Sequence, residues 1–242
     1  MLTIYIKEIR SFLSSLIAYI VIITFLLAIG LFMWIYPDMN IIDIGYANLD
    51  PLFFVGPWVF IFLISAITMR SFSEEKKAGT IETLTTSPVS DLGIILGKFF
   101  AGVTLVLFAL LPTLVYYYSI YELAVPVGNI DSGAIIGSYL GLLFVAASFV
   151  AIGMFASAIT DNQIVSFIVS AFLCFVMYTS FEYLSQISMF GDVAYVVSWL
   201  GMFSHYESIS RGVLDTRDAA YFLSLIVLFI LLTKTVFGSR KW

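Results

Sequence analysis

Few side chains in this 242-residue chain are of types that do covalent or metal chemistry. The single histidine, His205, stands in "SHYESISRG", and a serine nucleophile needs a base of that kind within hydrogen-bond reach. No GxSxG elbow accompanies it. A hydrolase site is therefore thinly supported, and a polar residue at an interface is the better expectation for His205. The lone cysteine, Cys174, lies in an apolar run and fits a small core hydrophobe. One cysteine and one histidine cannot build a disulfide framework or a histidine-rich metal centre. A phosphate-cradling loop needs GxxxxGK[ST], and the nearest approach, "LGIILGKFF", fails twice: Leu92 replaces the first glycine and Phe99 the hydroxyl. No catalytic, cofactor or metal site is expected, and any ATP hydrolysis belongs to another chain.

What the chain does concentrate is charge. The run "RSFSEEKKAGTIETLTTSPVSDLGIILGK", Arg70 to Lys98, holds four of the eleven basic and four of the sixteen acidic residues. Around it, 61% of the residues are hydrophobic and 11% charged, against roughly 45–50% and 25% in water-soluble domains. Such a chain is a membrane protein. Its net charge of -5 argues against nucleic acid, whose phosphates attract many cations.

A bilayer core about 30 Å thick takes roughly 20 apolar residues per helix, and that ruler finds six runs. They are Leu13 to Tyr36, Phe53 to Met69, Leu92 to Ile120, Ala134 to Ile159, Ile164 to Leu184, and Ala219 to Val236. The first exceeds a signal-peptide core and has no small-residue cleavage site after it, so retention is expected. Cations resist translocation and mark cytoplasmic loops. Lys7 and Arg10 precede the first span, Arg70, Lys76, Lys77 and Lys98 bracket the second loop, and Lys234, Arg240 and Lys241 follow the sixth span. Both termini are thus placed inside. The first-to-second loop carries Asp38, Asp43 and Asp50, and the third-to-fourth Glu122 and Asp131, with no cation in either. No span centre carries a charge, which disfavours a proton-coupled antiporter. Arg70 and Lys98, at inner ends, are expected to snorkel.

Local patterns add detail. Apolar Leu2, Tyr5, Ile6, Ile9, Phe12, Leu13 and Leu16 recur at helical period around Lys7, Glu8 and Arg10, which predicts an amphipathic helix over residues 1–12 in the headgroup plane. Between the last two spans, residues 187–217, the apolar core Val193 to Phe203 is too short to cross. Gly191 and Gly201 bracket it, so a re-entrant pair of short helices is expected there. In the polar run, Gly79 should break the helix arriving from the second span. Thr80 should cap a short helix with Glu82 in its first turn, reaching about Thr85 before Pro88 forbids continuation. Ser90 should cap the third span. Pro112 should kink that span. Gly93 and Gly97, like Gly137 and Gly141, have the small-xxx-small spacing of close helix packing, either within the chain or between copies.

Arg70, Phe72, Glu74, Glu75, Lys76, Gly79, Thr80, Glu82, Leu84, Ser87 and Pro88, followed by Gly97 and Lys98, resemble the coupling-loop motif of ABC-2 type transporter permeases. Arg211, Gly212, Asp215, Arg217 and Asp218 resemble the stretch these permeases carry before their last span. Within the family, both motifs and the compact first outer loop are most similar to permeases of bacterial gliding motility. The gap from Pro37 to Leu52 leaves no room for the large external domain of some relatives, and His205, Tyr206 and Glu207 depart from the usual wording.

The resemblance implies an all-α integral membrane permease of the bacterial inner membrane. Its parts would be six transmembrane helices, an interfacial amino-terminal helix, a cytoplasmic coupling loop over residues 70–91 that carries a coupling helix, and a re-entrant outer hairpin. It implies an ABC ATPase dimer carrying ATP and Mg, and a second permease copy or a different membrane subunit. The ATPase contact would be Glu74, Glu75, Lys76, Lys77, Gly79, Thr80, Glu82, Leu84, Ser87 and Pro88, and the outer motif His205, Arg211, Gly212, Asp215 and Arg217. Export and envelope-directed mechanical work both fit the resemblance, and the alternative for Lys76 and Lys77 is that they are simply topology markers.

Overall fold

The computed structural model describes residues 1–37, 39–81, 89–187, 194–212 and 215–238, and among these every regular element is helical. Helix α1 (Leu2–Leu13) precedes α2 (Leu16–Trp34), and the two meet at a bend of 71°. A short α3 (Ile41–Ile44) lies in the first loop, capped by Asn40, whose Oδ1 accepts from the Asp43 amide at 2.9 Å. Helix α4 (Asp50–Thr68) starts with Pro51 in its first turn, where a missing N–H costs nothing. It is followed by α5 (Ser73–Lys77).

Next come α6 (Asp91–Leu110), a 3₁₀ turn at Leu111–Thr113, and α7 (Leu114–Leu123). Helix α8 (Ser132–Ile159) is unbroken. After it, α9 (Gln163–Phe175) runs through a π turn (Val176–Ser180) into α10 (Phe181–Ser185). Two short helices, α11 (Ala194–Trp199) and α12 (Met202–Ser210), lead to α13 (Thr216–Gly238).

Five described stretches are long and apolar enough to cross a membrane, and the bent α1–α2 pair makes a sixth if it counts as one span. Side-chain caps set several starts: Ser90 Oγ accepts from the Gly93 amide at 3.2 Å and Asp131 Oδ1 from the Ala134 amide at 3.0 Å. Two boundaries differ from the sequence expectation. The first span begins at Leu16, because Ser14 and Ser15 end α1 and leave Leu13 on it. Helix α4 stops at Thr68 and the chain turns before α5, so the helix that Gly79 ends is α5, within the candidate span Asp50–Lys77. Pro112 sits in the 3₁₀ turn, where it cannot donate to the helical ladder.

Helix α8 is the axis of the bundle, with 72% of its apolar window buried against 28% for α9–α10 and 33% for α13. Small residues let neighbours close on it. A Cβ on Gly153 would lie 2.1 Å from Thr68 Oγ1 on α4, and one on Gly102 of α6 would lie 2.8 Å from Val150 Cγ1. Gly137 and Gly141 face Gly212 and Ile209 near α12, and Gly97 of α6 faces Met1 and Ile4. Three of the four glycines in small-xxx-small pairs are thus used inside the chain.

The elements sort to two ends of the bundle. Helix α1, α5, the first turns of α6 and the last turn of α8 share one end, where Phe72 also meets Phe237 of α13 at 5.5 Å. Helix α12 sits at the opposite end, where the Tyr206 hydroxyl donates to the Phe53 carbonyl at 2.7 Å and Ser138 Oγ to the Ser210 carbonyl at 2.9 Å. The pair of short helices expected between the last two spans is present, with Gly201 between the two rather than at a flank. Gly191 and Val193 lie outside the described residues.

Candidate functional site

Of the polar run, residues 70–81 and 89–98 are described; Glu82, Leu84, Thr85, Ser87 and Pro88 lie outside the described residues. The described part has two faces. Glu74, Lys77, Gly79 and Thr80 are exposed, while Phe72, Ser73 and Glu75 are buried. Gly79 takes φ +70°, a conformation that suits glycine, and so turns the chain sharply after α5. Thr80 Oγ1 donates to the Glu75 carbonyl at 3.4 Å, so within the described residues it closes the end of α5.

The buried face is fastened at three points. Ser157, in the last turn of α8, accepts the amides of Phe72 at 3.0 Å and Ser73 at 3.1 Å, and its hydroxyl donates to the Met69 carbonyl at 3.1 Å. Lys76 Nζ donates to the Ala158 carbonyl, one of the carbonyls a helix end leaves free, where the dipole also favours a cation. Lys76 is thereby engaged within the chain.

The third point is a cluster of four charges from three elements. Lys98 Nζ lies 2.8 Å from Glu8 Oε1, 3.0 Å from Glu75 Oε1 and 2.7 Å from the Ser71 carbonyl. Glu8 and the Ser71 carbonyl accept hydrogen bonds from the ammonium, and the Glu75 carboxylate is its ion-pair partner. The Phe72 ring lies 5.2 Å from the nitrogen, within range of a cation–π contact. The Lys98 side chain is 2% exposed, so it does not snorkel. Burying a cation costs several kcal/mol unless its partners are complete, about the situation this geometry meets. Lys7 Nζ adds a second bond to Glu75 Oε1 at 3.0 Å. Burial works to lower the Lys7 pKa, but the Glu75 and Glu8 carboxylates outweigh it and hold that pKa above its ordinary 10.5.

These contacts turn Glu75, one of the residues expected at the ATPase contact, toward the bundle. They also bring in Glu8, Lys98 and Ser157, which sequence reasoning did not choose as site residues. The pairs Lys7–Glu75 and Lys98–Glu8 span 68 and 90 positions, so local pattern held no trace of them. Helix α1 is also stitched to α6 by Tyr5 Oη and Thr104 Oγ1, 3.1 Å apart.

The outer motif divides in the same way. His205 is buried, in contrast to the interface position expected, with Nδ1 2.6 Å from Asp218 Oδ1 and Nε2 2.8 Å from the Trp199 carbonyl. The Trp199 carbonyl can only accept, so Nε2 carries a hydrogen; Nδ1 and Oδ1 then share one further proton. Tyr221 stacks on the imidazole at 4.0 Å, and its hydroxyl donates to the Leu200 carbonyl at 2.7 Å. Together these bonds tie α11 and α12 to α13. Both ring nitrogens are occupied, which leaves no base free for a serine. Ser204 Oγ, the adjacent hydroxyl, is spent on the Ser198 and Gly201 carbonyls at 2.9 and 3.1 Å. Gly212 takes φ +84° and packs on Ala134, while Arg211, Asp215 and Arg217 are exposed, Arg211 pairing with Glu207.

A many-helix membrane bundle with α5 exposed on one face and braced on the other is the architecture in hand. A model of the ABC-2 family transporter proteins matches residues 36–233. The chain belongs to that family, which makes it a multi-pass membrane permease subunit of an ABC transporter, a class that works with an ATPase on a partner chain. No curated protein matches it.

Proposed function

We propose that a separate ABC ATPase dimer grips the polar hairpin from the cytoplasm and drives export or envelope-directed mechanical work through this chain in a bacterial inner membrane. One observation carries the reading: the hairpin is exposed on Glu74, Lys77, Gly79 and Thr80 while its other face is fastened to α1, α6 and α8. A surface displayed on so many bonds passes a displacement to the spans instead of absorbing it. ATP can move the bundle only if the ATPase docks differently in its two nucleotide states, since coupling is a difference in interaction free energy. Glu82, Leu84, Ser87 and Pro88 complete the contact by resemblance. The distribution of lysine and arginine supports cytoplasmic termini. The motif wording resembles that of the gliding-motility permease called GldF, which favours a role in gliding motility. The chain pairs with a second copy or a different membrane subunit.

Co-purification with the native ATPase tests this. Charge reversal at Glu74 and Lys77, and separately replacement of Glu82 and Leu84, should abolish ATPase association while the chain stays monodisperse. A complex that survives both sets intact contradicts the assignment. A hydrolase would behave oppositely, losing its activity with His205→Ala and none with the hairpin variants.

A further inference from the structure

Beside the charge cluster a cleft of about 330 Å3 opens between α1, the end of α4 with α5, and α6. Its floor is apolar, with Ala66, Ala101 and Leu105, and its rim sets Lys7, Arg70 and Lys98 against Glu8, Glu74 and Glu75. Opposite charges therefore cancel around it. Two of these rim side chains each hold a buried atom that lacks a partner among the described residues: Arg70 Nε, a donor, and Glu75 Oε2, an acceptor. Glu75 is 9% exposed. Buried polar atoms are nearly always paired, so two orphans of opposite character in one cleft point to a molecule that supplies both partners. A simple anion would satisfy Arg70 and be repelled by the carboxylates, and a simple cation would do the reverse. The apolar floor calls for hydrocarbon. Small-ligand pockets run from roughly 300 to 1,000 Å3, so this one takes a headgroup and the first carbons of a chain. It also lies where an amphipathic helix meets the ends of apolar spans, the depth of lipid headgroups.

We propose that the cleft binds an aminophospholipid, its phosphate against Arg70, its primary ammonium against Glu75 and Glu74, and its acyl chain entering over Ala66 and Leu105. Lys98, already engaged by Glu8, Glu75 and the Ser71 carbonyl, positions Glu75 and makes no contact of its own. A bound lipid would then form part of the brace beneath the hairpin.

Native mass spectrometry of the full chain in detergent, given phosphatidylethanolamine, phosphatidylcholine and phosphatidylglycerol with identical acyl chains, reads this directly. One phosphatidylethanolamine per chain should be retained about tenfold over the others, because a choline has no N–H for Glu75 and a glycerol has no cation. Glu75→Gln should bring phosphatidylethanolamine down to the phosphatidylcholine level, and Arg70→Gln should weaken all three. Because Glu75→Gln also disturbs Lys98, Ala66→Leu provides a second variant that fills the floor without touching a charge, and it should expel the lipid from a still monodisperse chain. Equal retention of the three lipids by the unaltered chain, or a preference that survives both Glu75→Gln and Ala66→Leu, overturns the proposal. ATPase association does not enter this readout, so the two readings fail separately.

Discussion

Lys98 is the residue on which the braced end depends. Its three partners come from α1, α5 and the turn before α5, so one ammonium ties two helices to α6. Removing one partner of a buried ion pair costs about 3–5 kcal/mol, whereas replacing such groups with apolar ones of similar volume is often near neutral. Lys98→Ala should therefore lower the stability of the detergent-solubilised chain by about that much in a denaturant titration. The combined Lys98→Met, Glu8→Gln and Glu75→Gln variant should recover most of the loss; if it is no better than Lys98→Ala, the cluster is not the brace. Sequence alone could not show this. A lysine at the inner end of a span is ordinarily a topology marker, and only the return of α1 across α6 turns Lys98 inward. The burial of His205 has the same cause: Asp218, thirteen positions on, lies in the outer motif, but nothing local in the sequence says that the two side chains meet.

At the scale of elements, the bundle is held by close approach of helices more than by charge. Between α4 and α8, Gly153 lies against Thr68, and Ser65 Oγ and Ser170 Oγ stand 2.8 Å apart between α4 and α9. A methyl on Gly153 would need α4 to retreat, because its nearest contact, at 2.1 Å, is a β-branched side chain already bonded to the Ile64 carbonyl. Gly153→Ala should cost about 1–3 kcal/mol, as overpacking does, and open the hairpin end to faster amide exchange at Phe72 and Ser73. Unchanged exchange there would mean that α4 and α8 do not carry the hairpin together. Helix positions were legible, since apolar length, capping residues such as Ser90 and Asp131, and Pro112 have direct local causes. The π turn at Val176–Ser180 was not. Within it Tyr178 packs against Trp58, Phe149 and Phe203, contacts that sequence does not display.

Across the whole molecule, the polar hairpin shares its end of the bundle with α1 and the last turns of α13, while α12 and the loop before α8 lie opposite. The family match begins at residue 36, yet two of the four cluster charges, Lys7 and Glu8, come from α1 before it. Composition made the membrane class legible and two short motifs the family. The inward face of the hairpin stayed hidden because its partners are spread over the chain. Everything proposed for the hairpin requires that it face the cytoplasm. The most direct check is labelling with a membrane-impermeant maleimide, for which the native Cys174 is buried. Thr80→Cys should stay unlabelled in intact spheroplasts and react once they are permeabilised, while Asn129→Cys, in the loop before α8, should react in both. Labelling of Thr80→Cys from outside would contradict the account.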